Sequence, residues 1–342
     1  MICLRDKLET KIYLQGVIYM NNNNIKKNKK QDRIEENKAK KIKNMKFLNI
    51  IKGKVGDTML EIIENCSKFM MFYADESKEK LKLMKSNSCK NRFCPMCSWR
   101  KAKKDALKNS IIMKKLIADN QYAFLFLTLT AANVPGEELE KEIKDYVVAF
   151  KRLTKLKEFQ KINIGYIRKL EVTYNKEKNT YHPHYHILLC VKKNYFTSRD
   201  YIKQKKWLEM WQRAKRDKTI TQVDIRKIEL NKEDKSFLEI SKYTAKDSDY
   251  LQSQEVFNVF YDSLKGKQVI TYNSIFKELA KKYDNGELDY LKDIDKTDYI
   301  YKLIYEWLGN EYKEVLLQKL TEEEKNKLDH LIDEIDIENP EE

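Results

Sequence analysis

Three of the four histidines, His182, His184 and His186, stand at alternate positions in the run HPHYHILL. Alternate residues of a strand face one side. His184 and His186 therefore project together, with Tyr185 and Ile187 on the opposite side, and two imidazoles at that spacing can share one metal ion. Pro183 cannot donate to a sheet ladder, which puts His182 at the strand entrance as a third ligand or a phosphate contact. Unrelated surface histidines would not explain the strict alternation leading into an apolar run. Glu171, in KLEVTYN, is the best candidate for a further ligand, from the neighbouring strand. Its flanks Leu170 and Val172 are apolar and point to a core; the alternative for Glu171 is an ion pair with Arg168 or Lys169. Imidazole and carboxylate together accept Mn²⁺, Zn²⁺ or Fe²⁺, and Mg²⁺ where nucleic-acid oxygens complete the shell.

Residues 238–251 read LEISKYTAKDSDYL. On a helix Glu239 and Tyr243 share a face, and Lys246 follows one turn later. A phenol, with a pKa of about 10, attacks phosphorus when it is deprotonated or held in line. A nearby lysine or metal favours the phenolate, and Glu239 is placed to act as a base in a second step. Tyr250, two turns on, is the rival nucleophile. The chain has 21 tyrosines, so a tyrosine by itself is more often a core or surface residue.

Cys89, Cys94 and Cys97 form C-x4-C-x2-C with Pro95 at the turn, and Cys66 upstream supplies a fourth thiolate. This suits a closed, structural Zn²⁺ site that presents the basic helix Arg100 to Lys108 to DNA. Cys190, on an apolar strand, and Cys3 read as free thiols.

The elements that must position these groups are legible in the patterning. Strands are expected over Tyr122–Thr130, residues 164–174, Tyr185–Val191 and residues 222–230, the second and third joined by a short polar turn. Helices are expected from Trp99 into Lys114, over 137–157, over 198–216 with Trp207 and Trp211 one turn apart, and from about Lys235 to Leu251. Four segments follow: a basic disordered tail (1–46), a Cys-rich candidate zinc-binding segment (47–110), a domain carrying the histidines and the tyrosine (111–262), and a helical C-terminal region with an acidic tail (263–342). Interleaved strands and helices with a hairpin favour an α+β fold with an antiparallel sheet.

The net charge of +15 points to a polyanionic partner. With eight glycines and no Gly-rich phosphate loop, nucleotide hydrolysis is not indicated. No apolar run is long enough to span a membrane, and the first twenty residues do not read as a signal peptide. A cytoplasmic location, with reduced or metal-bound cysteines, is expected.

The ordered set of a strand ending in LTLT (Leu127–Thr130), HPHYHILL and KYxxK (Lys242, Tyr243, Lys246) resembles the three motifs of HUH endonucleases. The closer resemblance is to the replication initiators of small Gram-positive plasmids that replicate by rolling circle. CKNRFCPMCSWRKA, GYIRKLEVTYN, the Trp207/Trp211 helix and VFYDSLKGKQVITYNSIFKEL add to it, so that it covers roughly residues 60–285. The resemblance implies a central antiparallel sheet, Mg²⁺ or Mn²⁺ at His184 and His186, and attack by Tyr243 at the plasmid double-strand origin. A 5′-phosphotyrosyl link and a free 3′-OH primer would result, with Glu239 activating water to end the cycle. It also implies a host helicase and a single-strand-binding protein as partners, and leaves homodimerisation open. The alternatives are a related HUH transposase or relaxase, or a non-catalytic zinc-containing DNA-binding regulator.

Overall fold

The computed structural model describes residues 29–228, 240–241, 245–326 and 328. Two antiparallel sheets and ten helices alternate in these residues. In chain order the elements are α1 (Lys29–Ile51), α2 (Asp57–Glu64), β1 (Phe69–Asp75), β2 (Leu81–Ser86), α3 (Pro95–Ala118), β3 (Tyr122–Leu129), α4 (Leu139–Leu153) and α5 (Lys157–Ile162). Then come β4 (Gly165–Asn175), β5 (Thr180–Lys192), α6 (Gln204–Lys215), β6 (Val223–Lys227), the single turn α7 (Asp247–Tyr250) and α8 (Gln254–Leu264). The last are β7 (Ile270–Tyr272), α9 (Ile275–Asp284), β8 (Tyr299–Trp307), β9 (Tyr312–Lys319) and α10 (Glu322–Lys325). The fold is thus mixed α/β with antiparallel sheets, in the class expected.

The large sheet runs β6-β3-β5-β4-β7. One face, carrying Leu125, Leu127, Leu170, Val172, Tyr185, Ile187 and Leu189, packs under α4, α6 and α8. Aromatic rings knit this layer edge to face: Tyr146 and Phe150 of α4 meet Tyr185 at 5.3 and 5.7 Å, and Tyr146 meets Trp211 at 5.5 Å. The other face, with Phe124, Phe126, Ile167, Leu188 and Cys190, packs under α3 and α9. Phe124 and Phe126 are fully buried, and such a ring contributes about 2–3 kcal/mol by leaving water. The small sheet runs β2-β1-β8-β9, so it joins an early hairpin to a late one.

Three expectations are corrected. Residues 29–46 are not a disordered tail but most of α1; residues 1–28 lie outside the described residues. Helix α1 buries Asn37, Lys40, Lys41, Asn44, Phe47, Leu48 and Ile51, a helical stripe whose first half is polar and so invisible to hydropathy. The C-terminal region is not all helical: residues 299–319 form the β8–β9 hairpin, turning at Gly309, whose φ is +80°. The helix expected from about Lys235 to Leu251 is not continuous. Lys246 has extended geometry (φ −70°, ψ 142°) and caps α7, because Asp and Ser bond to local backbone more readily than they extend a helix.

Candidate metal centres and the segment beside them

Strands β4 and β5 pair so that Glu171 stands opposite His184 and Lys169 opposite His186. On the other side of β5, Thr128 of β3 stands opposite His186. These side chains share the sheet face that α3 and α9 cover further along. Where the helices end, the face changes from Phe126 and Leu188 to Thr128, His186, Glu171 and His184.

Ligand atoms of Glu171, His184 and His186 lie within 4.8 Å of one another. Glu171 Oε2 is 3.1 Å from His186 Nε2 and 3.8 Å from His184 Nε2, and the two Nε2 atoms are 3.2 Å apart. The far nitrogens are engaged. His184 Nδ1 donates to the His182 carbonyl (3.2 Å), and His186 Nδ1 meets Thr128 Oγ1 (3.2 Å). With both Nδ1 atoms protonated, the Nε2 lone pairs and a carboxylate oxygen converge on one point. Such convergence is repulsive without a cation, and the separations suit donors placed about 2.0–2.2 Å from one ion. Burial pushes His184 down to about 4, so its ring is neutral at neutral pH. Burial works against the Glu171 carboxylate, but the hydrogen bond it accepts when the His186 proton sits on Nε2, together with the charge of Lys169, outweighs burial and holds its pKa below the usual range.

His182 stands apart from this trio. Its Nε2 contacts Thr130 Oγ1 and the Ala131 carbonyl (3.1 Å), and its ring stacks on His184 at 5.2 Å. The same corner is tied to α6, because Trp211 Nε1 donates to the Thr130 carbonyl (2.8 Å).

Glu239 and Tyr243 lie outside the described residues. The chain on either side of Tyr243 is anchored. Upstream, Ser241 Oγ accepts from Asn109 Nδ2 of α3 (2.8 Å), and Tyr272 Oη donates to Asn109 Oδ1 (2.9 Å). Downstream, buried Asp247 receives Lys43 (2.9 Å) and Lys40 (3.4 Å) of α1. Tyr250 is buried under Phe93 and Phe257. Asp249 accepts from the Tyr174 amide (3.2 Å); burial raises its pKa, and the charge of Glu171 adds to the rise.

The second cluster joins Cys66, Cys89, Cys94 and Cys97. Sγ separations are 3.5 Å (Cys66–Cys97), 3.5 Å (Cys89–Cys97) and 3.7 Å (Cys94–Cys66). Tetrahedral Zn–S bonds of about 2.3 Å require sulfurs about 3.8 Å apart, so four thiolates fit one Zn²⁺. Hydrogen bonds from Cys89 and Cys94 hold the Cys66 thiol down at about 7. Helix α1 closes the site from behind. Asn44 Nδ2 donates to Cys94 Sγ (3.3 Å), and the fully buried Lys41 ammonium donates to the Cys66 and Glu64 carbonyls (2.7 and 2.8 Å) and to Asn44 Oδ1 (3.0 Å). Cys190 lies elsewhere, in the apolar layer, its thiol pushed up to about 12 by burial. Cys3 lies outside the described residues.

Arg100 does not face outward as expected of a DNA-presenting helix. Its guanidinium turns inward to Ser67, Ser86 and Asn37 (2.8, 2.6 and 3.2 Å), tying α3 to the turn before β1, to β2 and to α1. Sequence reasoning missed Thr128, Asn109, Lys41 and Asn44, whose roles depend on register and on contacts between distant elements. The LTLT run held a signal for Thr128, since a polar residue on a buried strand needs a partner.

Two separate donor clusters on an antiparallel α/β scaffold could each hold a metal ion. A family model described as "Replication protein" matches residues 80–315, a span that takes in both clusters except Cys66. The chain belongs to this replication-protein family, in agreement with its resemblance to plasmid replication initiators. It is 47% identical over 219 residues to a "Protein rep" of Staphylococcus aureus, covering 64% of this chain and 95% of the relative. It is 37% identical over 254 residues to a "Protein rep" of Bacillus amyloliquefaciens (67% and 74%) and 34% identical over 285 residues to one of Streptococcus pneumoniae (77% and 89%). No solved structure matches the chain. Among the described residues no helix is long and apolar enough to cross a membrane.

Proposed function

We propose that this protein nicks and rejoins one DNA strand at a plasmid origin to initiate rolling-circle replication, with Tyr243 as the nucleophile. The observation that carries the reading is the convergence of Glu171, His184 and His186 on one point at a polar sheet end, in a replication-protein chain whose Tyr243 segment is anchored on both sides. A divalent ion held by those three side chains, Mg²⁺ or Mn²⁺, would polarise the scissile phosphate and stabilise the charge that builds on it.

The residues have distinct tasks. His184 and His186, their Nδ1 atoms engaged by the His182 carbonyl and Thr128, turn their Nε2 atoms to the ion. Glu171 supplies the negative charge of the ligand set. The Tyr243 oxygen forms a bond to phosphorus as the bond to the 3′ oxygen breaks, and that oxygen leaves as a 3′-hydroxyl after taking a proton. One phosphodiester is exchanged for a phosphotyrosyl ester, so rejoining requires no ATP. Lys246 supplies positive charge on the tyrosine side. Glu239 serves as the base that activates water to end the cycle. The Cys66–Cys89–Cys94–Cys97 cluster is read as a structural Zn²⁺ site.

The test uses single-stranded origin oligonucleotides labelled at either end, with Mn²⁺, and compares wild type, Tyr243→Phe and Tyr250→Phe. A denaturant-resistant protein adduct on the new 5′ end, lost only in Tyr243→Phe, is expected. Loss only in Tyr250→Phe would move the nucleophile. Metal binding with no adduct on any origin DNA would sink the reading and favour a zinc-containing DNA-binding regulator.

A further inference from the structure

A cavity of about 1400 Å³ opens between α3, β2, the loop carrying Cys89 and the β4–β7 edge. Its lining carries ten Lys or Arg side chains and only two carboxylates, Asp105 and Asp284. Several of the cations are already engaged: Lys101 with Asp105 (2.9 Å), Lys108 with Asp284 (2.7 Å), and Arg92 with the Leu264 and Lys267 carbonyls. Lys85, Lys90 and Lys104 are exposed and have no salt-bridge partner among the described residues. They come from three different segments, β2, the cysteine loop and α3, so one groove collects unneutralised charge that no single element presents.

One end of the groove reaches the candidate metal face. Lys169 lines it and stands two residues before Glu171 on the same side of β4, opposite His186. Ser241, Ile240 and Ala245, which flank Tyr243 in the chain, line it as well. The lining also includes the apolar side chains Leu83, Met84, Leu107, Val269 and Ile270.

We infer that this groove holds single-stranded DNA flanking the nick, by its phosphates on Lys85, Lys90 and Lys104 and by its bases on the apolar lining. The inference rests on the nicking reading for its direction toward the metal face. The charge asks for a polyanion, and the apolar lining selects among polyanions. A duplex hides its base faces, whereas a single strand has unpaired bases to lay against Leu83, Met84 and Leu107.

The experiment measures binding of a fluorescent single strand and of the matching duplex to Tyr243→Phe protein as salt is varied. A Lys85→Ala/Lys90→Ala/Lys104→Ala variant is compared with the corresponding triple Lys→Arg variant, and thermal midpoints check that both fold. Each phosphate contact contributes about 0.7 to the slope of log K against log salt for a single strand. Loss of three should therefore shrink the slope by about 2 for the alanine variant, with the arginine variant unchanged. An unchanged slope in the alanine variant overturns the inference, as does an equal effect on duplex. Adduct formation by the wild type, run in parallel, tests the nicking reading separately. A slope that shrinks without any adduct would leave the groove standing and sink the nuclease.

Discussion

The Tyr250 hydroxyl donates a 2.8 Å hydrogen bond to the carbonyl of Phe93, the residue just before Cys94. Tyr250 is 2% exposed, with its ring edge-on to Phe93 at 5.7 Å. A phenol held in this way is a strut between α7 and the cysteine loop. Tyr250→Phe should lower unfolding free energy by about 1 kcal/mol, the worth of one buried hydrogen bond, and leave the covalent DNA adduct intact. Denaturant titration and a denaturing gel of the adduct check the two halves.

Thr128 orients His186 without being a metal donor itself. Thr128→Val keeps the shape and removes the acceptor for His186 Nδ1. Loss of such an outer partner costs about 10- to 100-fold in metal affinity. Mn²⁺ titration should show that fall, and excess Mn²⁺ should restore nicking; an unchanged affinity would mean that the ring is held by other contacts.

Lys41 lies behind the thiol cluster with its charge fully enclosed. Lys41→Met removes hydrogen bonds to the Cys66 and Glu64 carbonyls and a compensating charge for thiolates. A bond to a charged group is worth about 1.5–3 kcal/mol, so the variant should unfold more easily by at least that much and release zinc at lower chelator concentration. Zinc release followed with a chromogenic chelator reads this directly. Cys94→Ser should abolish stoichiometric zinc.

Asp295 provides a pH test remote from both clusters. Burial opposes its ionisation, but hydrogen bonds from Thr297, Tyr299 and Lys82 outweigh burial and hold the carboxyl well below its usual value. A folded-state pKa below the unfolded value of about 3.9 means that the stabilisation is complete above that pH and is lost as pH falls through the folded value. The melting temperature of the wild type should therefore drop on acidification below about pH 4. Asp295→Asn should start lower at neutral pH and show a shallower drop.

The legible parts of this molecule were those set by local periodicity. Strict alternation put His184 and His186 on one face, and the short turn at 176–179 placed Glu171 beside them, because a hairpin leaves few registers. The paired tryptophans marked α6 for the same reason. Helix α1 escaped because Asn37, Lys40, Lys41 and Asn44 are buried against carbonyls, a thiol and a carboxylate, partners that lie far away in sequence. The β8–β9 hairpin did carry a signal in YIYKLIYEW, rich in aromatic and β-branched residues, which a helical reading passed over. The break in the helix at residues 245–246 was missed because capping residues and helix formers alternate there, and the contacts of Asp247 and Tyr250 with α1 and Phe93 decide the outcome.

The small sheet has a consequence for synthesis. Strand β1 pairs with β2 on one side, but its other side waits for β8, with Phe72 opposite Leu303. A nascent chain therefore completes its histidine face and its thiol cluster while β1 still offers an open edge to proteases and to other chains. A message broken or frameshifted before Tyr299 would yield a product with every chemical group in place and no seal on that edge. Such products should be cleared quickly, so the late hairpin ties the lifetime of the chain to its having been made through to the last strands.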